Sequence, residues 1–465
     1  MSNGNLKPEL AELAIQINFP PIVPNHEFFY IWCYREPGCR LRSLNVSKCL
    51  LGGLDAACLG ETVRRARQLD ALRCSGASRP ADVMPLVMGL AEGGSQLQLL
   101  DLSSPRLALD DHPCRLLCHA LARNASLRLL NLDGWTFRIE ESETLLAFAE
   151  LLNCTGVREL SLCNARLHLA IHEGPLSRLG RRDDAGAELM KAASPPNCTS
   201  VVFLRLAGFQ VTVNDRLALR GPQLLPFLSG FTNLLELDLS LDKSAALGGL
   251  DSGTAEPRSS SPGSPTRSTL QHQQLHGSTD TTVDERQLVQ FFTELGSHFR
   301  QLQSLRANFW RCSLDECSER VGRQVAKLVR PCKALSVLRL GSLVVVDRSA
   351  SSGNKGGPPQ QQRVEHVLLQ ALLTGLDSLA WLSLDGVELS ESQADSLGKY
   401  LRERFRGSSL EISARDVRVE ALKTLVVSTE RGGRAEVSWA GGPPGCCRLR
   451  IERLQNKTRT KPKSK

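Results

Sequence analysis

Apolar residues return along this chain in a short fixed pattern. The unit L-x-x-L-x-L occurs at Leu41, Leu44 and Val46, at Leu69, Leu72 and Cys74, and at Leu97, Leu100 and Leu102. These three starts lie 28 and 28 residues apart, which is a register and marks an internal repeat. The pattern resumes from Leu127, Val157, Val201, Leu234, Leu302, Leu335 and Leu379, with weaker matches from Gly407 and Arg434, so the count is about twelve. Within each unit the alternation is that of a strand, and between units the spacing becomes helical. Ser390 with Gln393 reads as a capping box ahead of Ala394, Leu397, Leu401 and Phe405 on one helical face. Asp284 with Gln287 precedes Leu288, Phe291, Phe292 and Leu295 in the same way, and Leu145, Phe148, Leu151 and Leu152 form a third such face.

A unit of this size cannot bury its own leucines, so successive units must stack. Strands then form a parallel sheet on one wall, with the helices on the other. Over about residues 41–440 the sequence resembles the leucine-rich repeat family, in its long-repeat, ribonuclease-inhibitor-like class. The resemblance implies an α/β fold, a horseshoe-shaped solenoid with a concave parallel β-sheet and convex helices. Members of that class usually carry Asn or Cys at the ninth place of the unit, and here only Cys49 fits. Ala77, Pro105, Trp135, Ala165, Phe209, Trp310, Leu343 and Val387 stand there instead, so the turn after each strand is expected to be packed by apolar side chains.

The organisation expected is an N-terminal cap over 1–40, a solenoid over 41–440 and a basic disordered tail over 441–465. The cap includes a helix at about 7–16 and the aromatic cluster Phe28, Phe29, Tyr30, Trp32 and Tyr34, because the first coil of an open solenoid exposes an apolar side. The connection over 168–199 is lengthened, and two insertions, about 243–283 and 348–363, are rich in Ser, Pro, Gly and Gln and are expected to be disordered. Long surface insertions cost little closure entropy, so the register survives them. Ser261-Pro262 and Ser264-Pro265 in the first insertion are either phosphorylation sites or part of a passive loop.

Leucine accounts for 79 of 465 residues, hydrophobic residues for 41% and charged residues for 23%, the balance of a chain that builds a core. No apolar run approaches the length of a membrane span, and no secretory leader is visible. Fifteen cysteines in such a chain are expected to be reduced thiols, which places the protein in the cytoplasm, with the nucleus or the cytoskeleton as further sites. The net charge of +8 is uneven: residues 448–465 hold eight Lys or Arg against one Glu, leaving the body nearly neutral. That tail reads as an import address, a contact for an acidic polymer or a solubilising end. Nucleic acid is not expected as a partner beyond weak contacts of the tail, because the body lacks both excess positive charge and a reading module.

The chemistry-bearing motifs are missing. Gly398-Lys399 is followed by Tyr400 rather than Ser or Thr, and neither H-E-x-x-H nor G-x-S-x-G occurs. His112, Cys114, Cys118 and His119 have a loose metal-like spacing, but Cys114, Leu117, Cys118 and Leu121 form one inward helical stripe, where cysteine acts as a small apolar residue. Catalytic, metal and cofactor sites are therefore not expected, nor is a small-molecule substrate. A function is expected on the concave wall, whose second, third, fifth, seventh and eighth places face solvent. Arg205, Asp238, Arg306 and Arg339 hold the fifth place of four successive units, with Phe203, Phe309 and Trp381 beside them; arginine and aromatic anchors are what protein interfaces favour. The expectation is a non-enzymatic interaction scaffold or adaptor for one or more proteins. The alternative is a regulatory subunit, such as a ubiquitin-ligase substrate receptor or a regulator of a small GTPase.

Overall fold

The structure is a computed structural model that describes residues 15–16, 42–47, 53–66, 68–77, 79–92, 96–104, 107–153, 156–171, 185–214, 217–241, 283–307, 311–313, 334–339, 344–345, 381–383, 394–395, 398–399, 409–415, 423–424, 434–438 and 446–452. One 14-stranded sheet runs the length of the molecule. Its strands follow chain order from Ile15–Gln16 through Ser43–Asn45, Ala71–Arg73, Leu99–Asp101, Leu129–Asn131, Glu159–Ser161, Phe203–Arg205, Glu236–Asp238, Ser304–Arg306, Val337–Arg339 and Trp381–Ser383 to Ser409–Arg415, and all these pairings are parallel. Only a crossover of a dozen or more residues can join parallel neighbours, and the repeat supplies one each time.

The register answers the leucine beat. Leu44 pairs with Leu72, then Leu100, Leu130, Leu160, Leu204, Leu237, Leu305, Leu338 and Leu382 in unbroken succession. From Leu44 through Leu305 every leucine of this row is buried. Together with the sixth-place residues Val46, Cys74, Leu102, Leu132, Leu162 and Leu206, they form a spine that continues into the helices. Helices Gly53–Arg65, Met84–Glu92, Asp111–Ala122, Ser142–Leu152 and Ala185–Ala193 back the sheet, one per repeat. The expected faces are the buried ones: Cys114, Leu117, Cys118 and Leu121 in one helix, and Leu145, Phe148, Leu151 and Leu152 in the next. Helix Glu285–His298 buries Phe291 and Leu295.

The turn after the strand takes one backbone conformation in four of the described repeats. The eighth place is left-handed at Gly76, Gly134, Asn164 and Gly208, with φ of 97°, 78°, 57° and 70°, a conformation open to glycine and tolerated by asparagine. From that turn the eighth-place N–H reaches the seventh-place carbonyl of the next repeat: Gly76 to Ser103, Gly134 to Cys163 and Gly208 to Ser240, at 2.8, 2.8 and 2.6 Å. The ninth place is apolar and buried, as expected, at Trp135, Ala165 and Phe209, and half-buried at Ala77. Cys49, Pro105, Trp310, Leu343 and Val387 lie outside the described residues. Trp135 does more than fill space. Its indole N–H donates to the Leu102 carbonyl of the preceding repeat at 2.6 Å.

Four features depart from the reading of the sequence. A strand and a helix do not simply alternate, because several repeats insert a second strand. Ala108–Leu109, Thr136–Ile139, Arg166–Leu169 and Gln210–Val213 form a parallel row that Leu217–Leu219 closes antiparallel, and Val283–Asp284, Arg311–Ser313 and Val344–Val345 form a smaller one. Their period-2 patterns, such as Phe137 and Ile139 buried beside exposed Arg138, span only four residues and were hidden behind the leucines. Second, the repeat counted from Gly407 is two residues out of step: Leu382 pairs with Ile412, not Leu410. Leu410 and Ile412 alternate in one strand, so either fits the fourth place by sequence.

Third, Arg434–Ser438 is not a further repeat and residues from 441 are not all tail. Cys446–Glu452 lies antiparallel to both Ser409–Arg415 and Arg434–Ser438, ending the sheet in a hairpin. Seven backbone positions, Ser409 to Arg415, find register partners there, which satisfies a strand edge that a disordered tail would leave open. Fourth, Ile15–Gln16, at the end of the expected 7–16 helix, is a strand parallel to Leu44–Asn45; it pairs the backbone of the first repeat, which a helix cannot do. The remainder of the 1–40 cap, Phe28, Phe29, Tyr30, Trp32 and Tyr34 among it, lies outside the described residues, as do all of the insertion expected over about 243–283 but Val283, which begins a strand, both Ser-Pro sites, the insertion over 348–363 and residues 453–465.

Candidate partner-binding wall

The exposed side of the long sheet is set by the same alternation that buries the leucines. Fifth-place residues form one row across the strands: Asn45, Arg73, Asp101, Asn131, Ser161, Arg205, Asp238, Arg306, Arg339 and Ser383. Because Ile412 holds the fourth place, the next member is Ser413 and not Glu411. Arg205, Asp238, Arg306 and Arg339 are therefore direct neighbours on four adjacent strands, as expected, at the roughly 4.8 Å spacing of a sheet.

Part of this row is structural. Asn45, Asp101, Asn131 and Asp238 each turn Oδ1 back to accept the seventh-place N–H of their own repeat, Ser47, Ser103, Asp133 and Ser240, at 3.0, 3.0, 2.9 and 3.0 Å. These Asx turns close the strand end. Ser161 has no such carboxylate or amide. Asp133 of the preceding repeat serves instead, accepting from the Ser161 hydroxyl at 2.6 Å and the Cys163 N–H at 2.7 Å. Burial lifts the Asp133 carboxyl above its ordinary range despite those two hydrogen bonds, with Asp101 adding to the rise and Arg205 opposing it. Burial likewise pushes the Cys163 thiol up, so it is a poor nucleophile.

Arg205 and Arg306 are held more loosely. Arg205 Nη2 lies 4.0 Å from Glu159, with 57% of its side chain exposed, and Arg306 Nη1 lies 3.9 Å from Asp238, with 35% exposed. Ion pairs this long and this wet add little to stability, and they leave most guanidinium donors open to solvent. Phe203 is half-buried beside Arg205, flanked in register by Glu159 and Glu236. Trp381 continues its row next to Val337 by backbone register, and Phe309 lies outside the described residues.

On the convex side, Cys114 and Cys118 are fully buried while His112 and His119 are exposed, so the four do not converge. The Cys118 thiol is raised well above its ordinary value by its hydrogen bond with Cys114 and by burial. Among the described residues no three His, Cys, Asp or Glu side chains gather as a metal would need, and no helix is long and apolar enough to cross a membrane.

No protein-family model matches the chain, and no curated protein matches it. Among solved structures it is similar to the crystal structure of a TLR13–ssRNA13 complex, at 15% identity and a TM-score of 0.31, over 74% of this chain and 39% of that one. It is also similar to the internalin InlF of Listeria monocytogenes, at 13% identity and a TM-score of 0.32, over 83% of this chain and 78% of that one. The in-register leucine row decides the fold independently of these likenesses. The fold is a leucine-rich-repeat solenoid. Its sheet stays open at both edges, and among the described residues its wall exposes side chains such as Arg73 and Arg205.

Proposed function

We propose that this chain is a non-enzymatic interaction scaffold or adaptor that seats another protein on the concave wall of its solenoid, at Phe203, Arg205, Asp238, Arg306, Phe309, Arg339 and Trp381. The supporting observation is the unbroken row Arg205–Asp238–Arg306–Arg339 on neighbouring strands. Their backbone groups are held by the sheet, so the side chains stand on a rigid base and lose little further order on binding. The mixed charge of the row, three arginines with one aspartate, selects a partner with the complementary order and steers its approach. Half-buried Phe203 adds apolar area, and arginine with aromatic residues is the composition of interface hot spots. Asp101 and Asp238 close the ends of their own strands, and burial raises the Cys163 thiol above its ordinary value.

The 28-residue spacing of the first units favours the long-repeat, ribonuclease-inhibitor-like subclass, and the odd thiol count favours a reducing compartment, the cytoplasm or the nucleus. Proximity labelling with the intact chain, set beside a version carrying Arg306→Glu and Arg339→Glu, tests the site. The proposal expects the double variant to lose a defined subset of neighbours while its circular dichroism is unchanged. An identical neighbour list in both removes the wall from consideration.

A further inference from the structure

The second row of strands carries a feature that neither the leucine pattern nor the concave wall accounts for. Leu167, Leu169, Val211, Val213 and Leu219 point into the core, so Arg166, His168, Gln210 and Thr212 fall on the outer side of that row. Gln210 pairs in register with Arg166, and Val211 with Leu219, which sets Arg220 beside Gln210 from the antiparallel strand. Two guanidiniums thus flank one carboxamide, in the order Arg166, Gln210, Arg220. Arg220 is tied into place: Nη2 donates to Gln210 Oε1, its backbone N–H donates to Gln223 Oε1 at 3.2 Å, and Gln210 Nε2 in turn donates to Thr212 Oγ1 at 3.2 Å.

What is missing is an anion. Among the described residues no carboxylate pairs with Arg166 or Arg220, and Arg220 Nε is buried without an acceptor. Arg138, opposite His168 on the next strand of the row, has Asp110 3.9 Å away. Burial first, and then the like charge of Arg166, hold Arg220 below the ordinary guanidinium range. A half-buried cation beside a second cation, with an orphaned donor, is unfavourable for the chain alone. It is also the arrangement that recognises phosphate, since arginine presents a planar fork matched to phosphoryl oxygens.

We infer that Arg166 and Arg220, bridged by Gln210, form a phosphoryl-binding site on the second strand row, distinct from the concave wall. The ligand is a phosphomonoester dianion, either carried on a phosphorylated side chain of a bound protein or free as inorganic phosphate. Seated beside the two guanidiniums, it supplies the countercharge that the chain lacks, and Thr212 lies on the same face as a further donor. A phosphorylated partner docked here would engage the solenoid from the flank and leave the wall open to a second protein.

The test titrates the full-length chain with a phosphoserine pentapeptide, its unphosphorylated counterpart and inorganic phosphate by isothermal calorimetry. Arg166→Gln, Arg220→Gln and Arg220→Lys are compared with the parent, and thermal denaturation of each variant verifies the fold. Arg166 is exposed, so its replacement leaves the fold intact even if Arg220→Gln does not. The site predicts saturable binding of the phosphopeptide, at least tenfold weaker in Arg166→Gln and in Arg220→Gln, with Arg220→Lys in between. Tight binding of the peptide over inorganic phosphate identifies a protein-borne ligand, and equal binding identifies the free anion. Absence of phosphate binding in the parent, or binding that Arg166→Gln leaves untouched, overturns the proposal.

Discussion

Trp135 is the residue at which a local chemical shortage is repaired by the neighbouring repeat. In three repeats the sixth-place carbonyl accepts the ninth-place N–H: Leu132 from Trp135 at 3.4 Å, Leu162 from Ala165 at 3.1 Å and Leu206 from Phe209 at 3.0 Å. In the repeat beginning at Leu97 the ninth residue is Pro105, which has no N–H to give. The Leu102 carbonyl is instead met by the Trp135 indole at 2.6 Å. Trp135→Phe keeps the ring stack on Phe137, whose centroid lies 5.8 Å away, but removes the donor. A buried acceptor left unmet costs about 1–3 kcal/mol, and the smaller ring forfeits packing contacts worth about 1 kcal/mol. The expected loss is about 2–4 kcal/mol, confined to the two repeats that share the bond, because a solenoid couples only nearest neighbours.

Native-state hydrogen exchange of the full chain reads this directly. The amides of Leu102, Ser104 and Thr136, which bridge the two repeats, should exchange about 30- to 700-fold faster at ten-fold per 1.4 kcal/mol, while those of Leu206 and Leu239 stay as they are. Adding Pro105→Ala to the variant restores an N–H at the ninth place and should recover about 1 kcal/mol, a coupling visible in a double-mutant cycle. An acceleration below about threefold at all three amides, or one spread evenly along the sheet, would refute the role given to the indole.

Two further outcomes follow from the packing and the charges. Gly60 and Gly89 meet where the first two described helices cross, and a Cβ on Gly89 would run into the Gly60 carbonyl; Gly89→Ala should therefore lower stability by about 1–3 kcal/mol in urea denaturation, although glycine to alanine inside a helix ordinarily gains about 1 kcal/mol, and a gain would disprove the contact. Burial raises the Asp133 carboxyl in the folded chain above its unfolded value, so its stabilising contribution is complete below the unfolded value and is lost as pH rises through the folded one; Asp133→Asn keeps Oδ1 for Ser161 and Cys163, and its stability-versus-pH curve should lack that fall, an unchanged curve being the contrary result.

The long-range order of the fold was legible because burial demands a leucine at one height in every coil, so a count along the chain predicts which residues become neighbours in space. That count makes Arg205, Asp238, Arg306 and Arg339 neighbours, and the sheet places them so. Short elements were not legible in this way. Thr136–Ile139 and Arg166–Leu169 have only two inward residues each, too few for a period to stand out from the leucines around them. The Arg166–Gln210–Arg220 group escaped notice for the same reason, since it depends on a row of strands that only tertiary pairing reveals. The left-handed turn did leave a trace, Gly76, Gly134, Asn164 and Gly208 all at the eighth place, and a search for glycine or asparagine at that offset would have located it. The Asx turns could be read from Asn45, Asp101, Asn131 and Asp238 only after the fifth place was known to end a strand.

The reversed hairpin at the far end of the sheet has a bearing on assembly. A ladder of identical coils is in principle extendable, since the last rung of one molecule offers the same template to the first rung of another and would let copies grow into a filament. Arg434–Ser438 breaks that symmetry: the terminal rung lies beyond a strand of opposite direction and puts Arg434 and Glu436 on the outermost edge, where charge discourages further pairing. Two antiparallel pairings return Arg434–Ser438 to the direction of the repeat strands, so chain direction leaves growth open at this end and the charged edge is what opposes it.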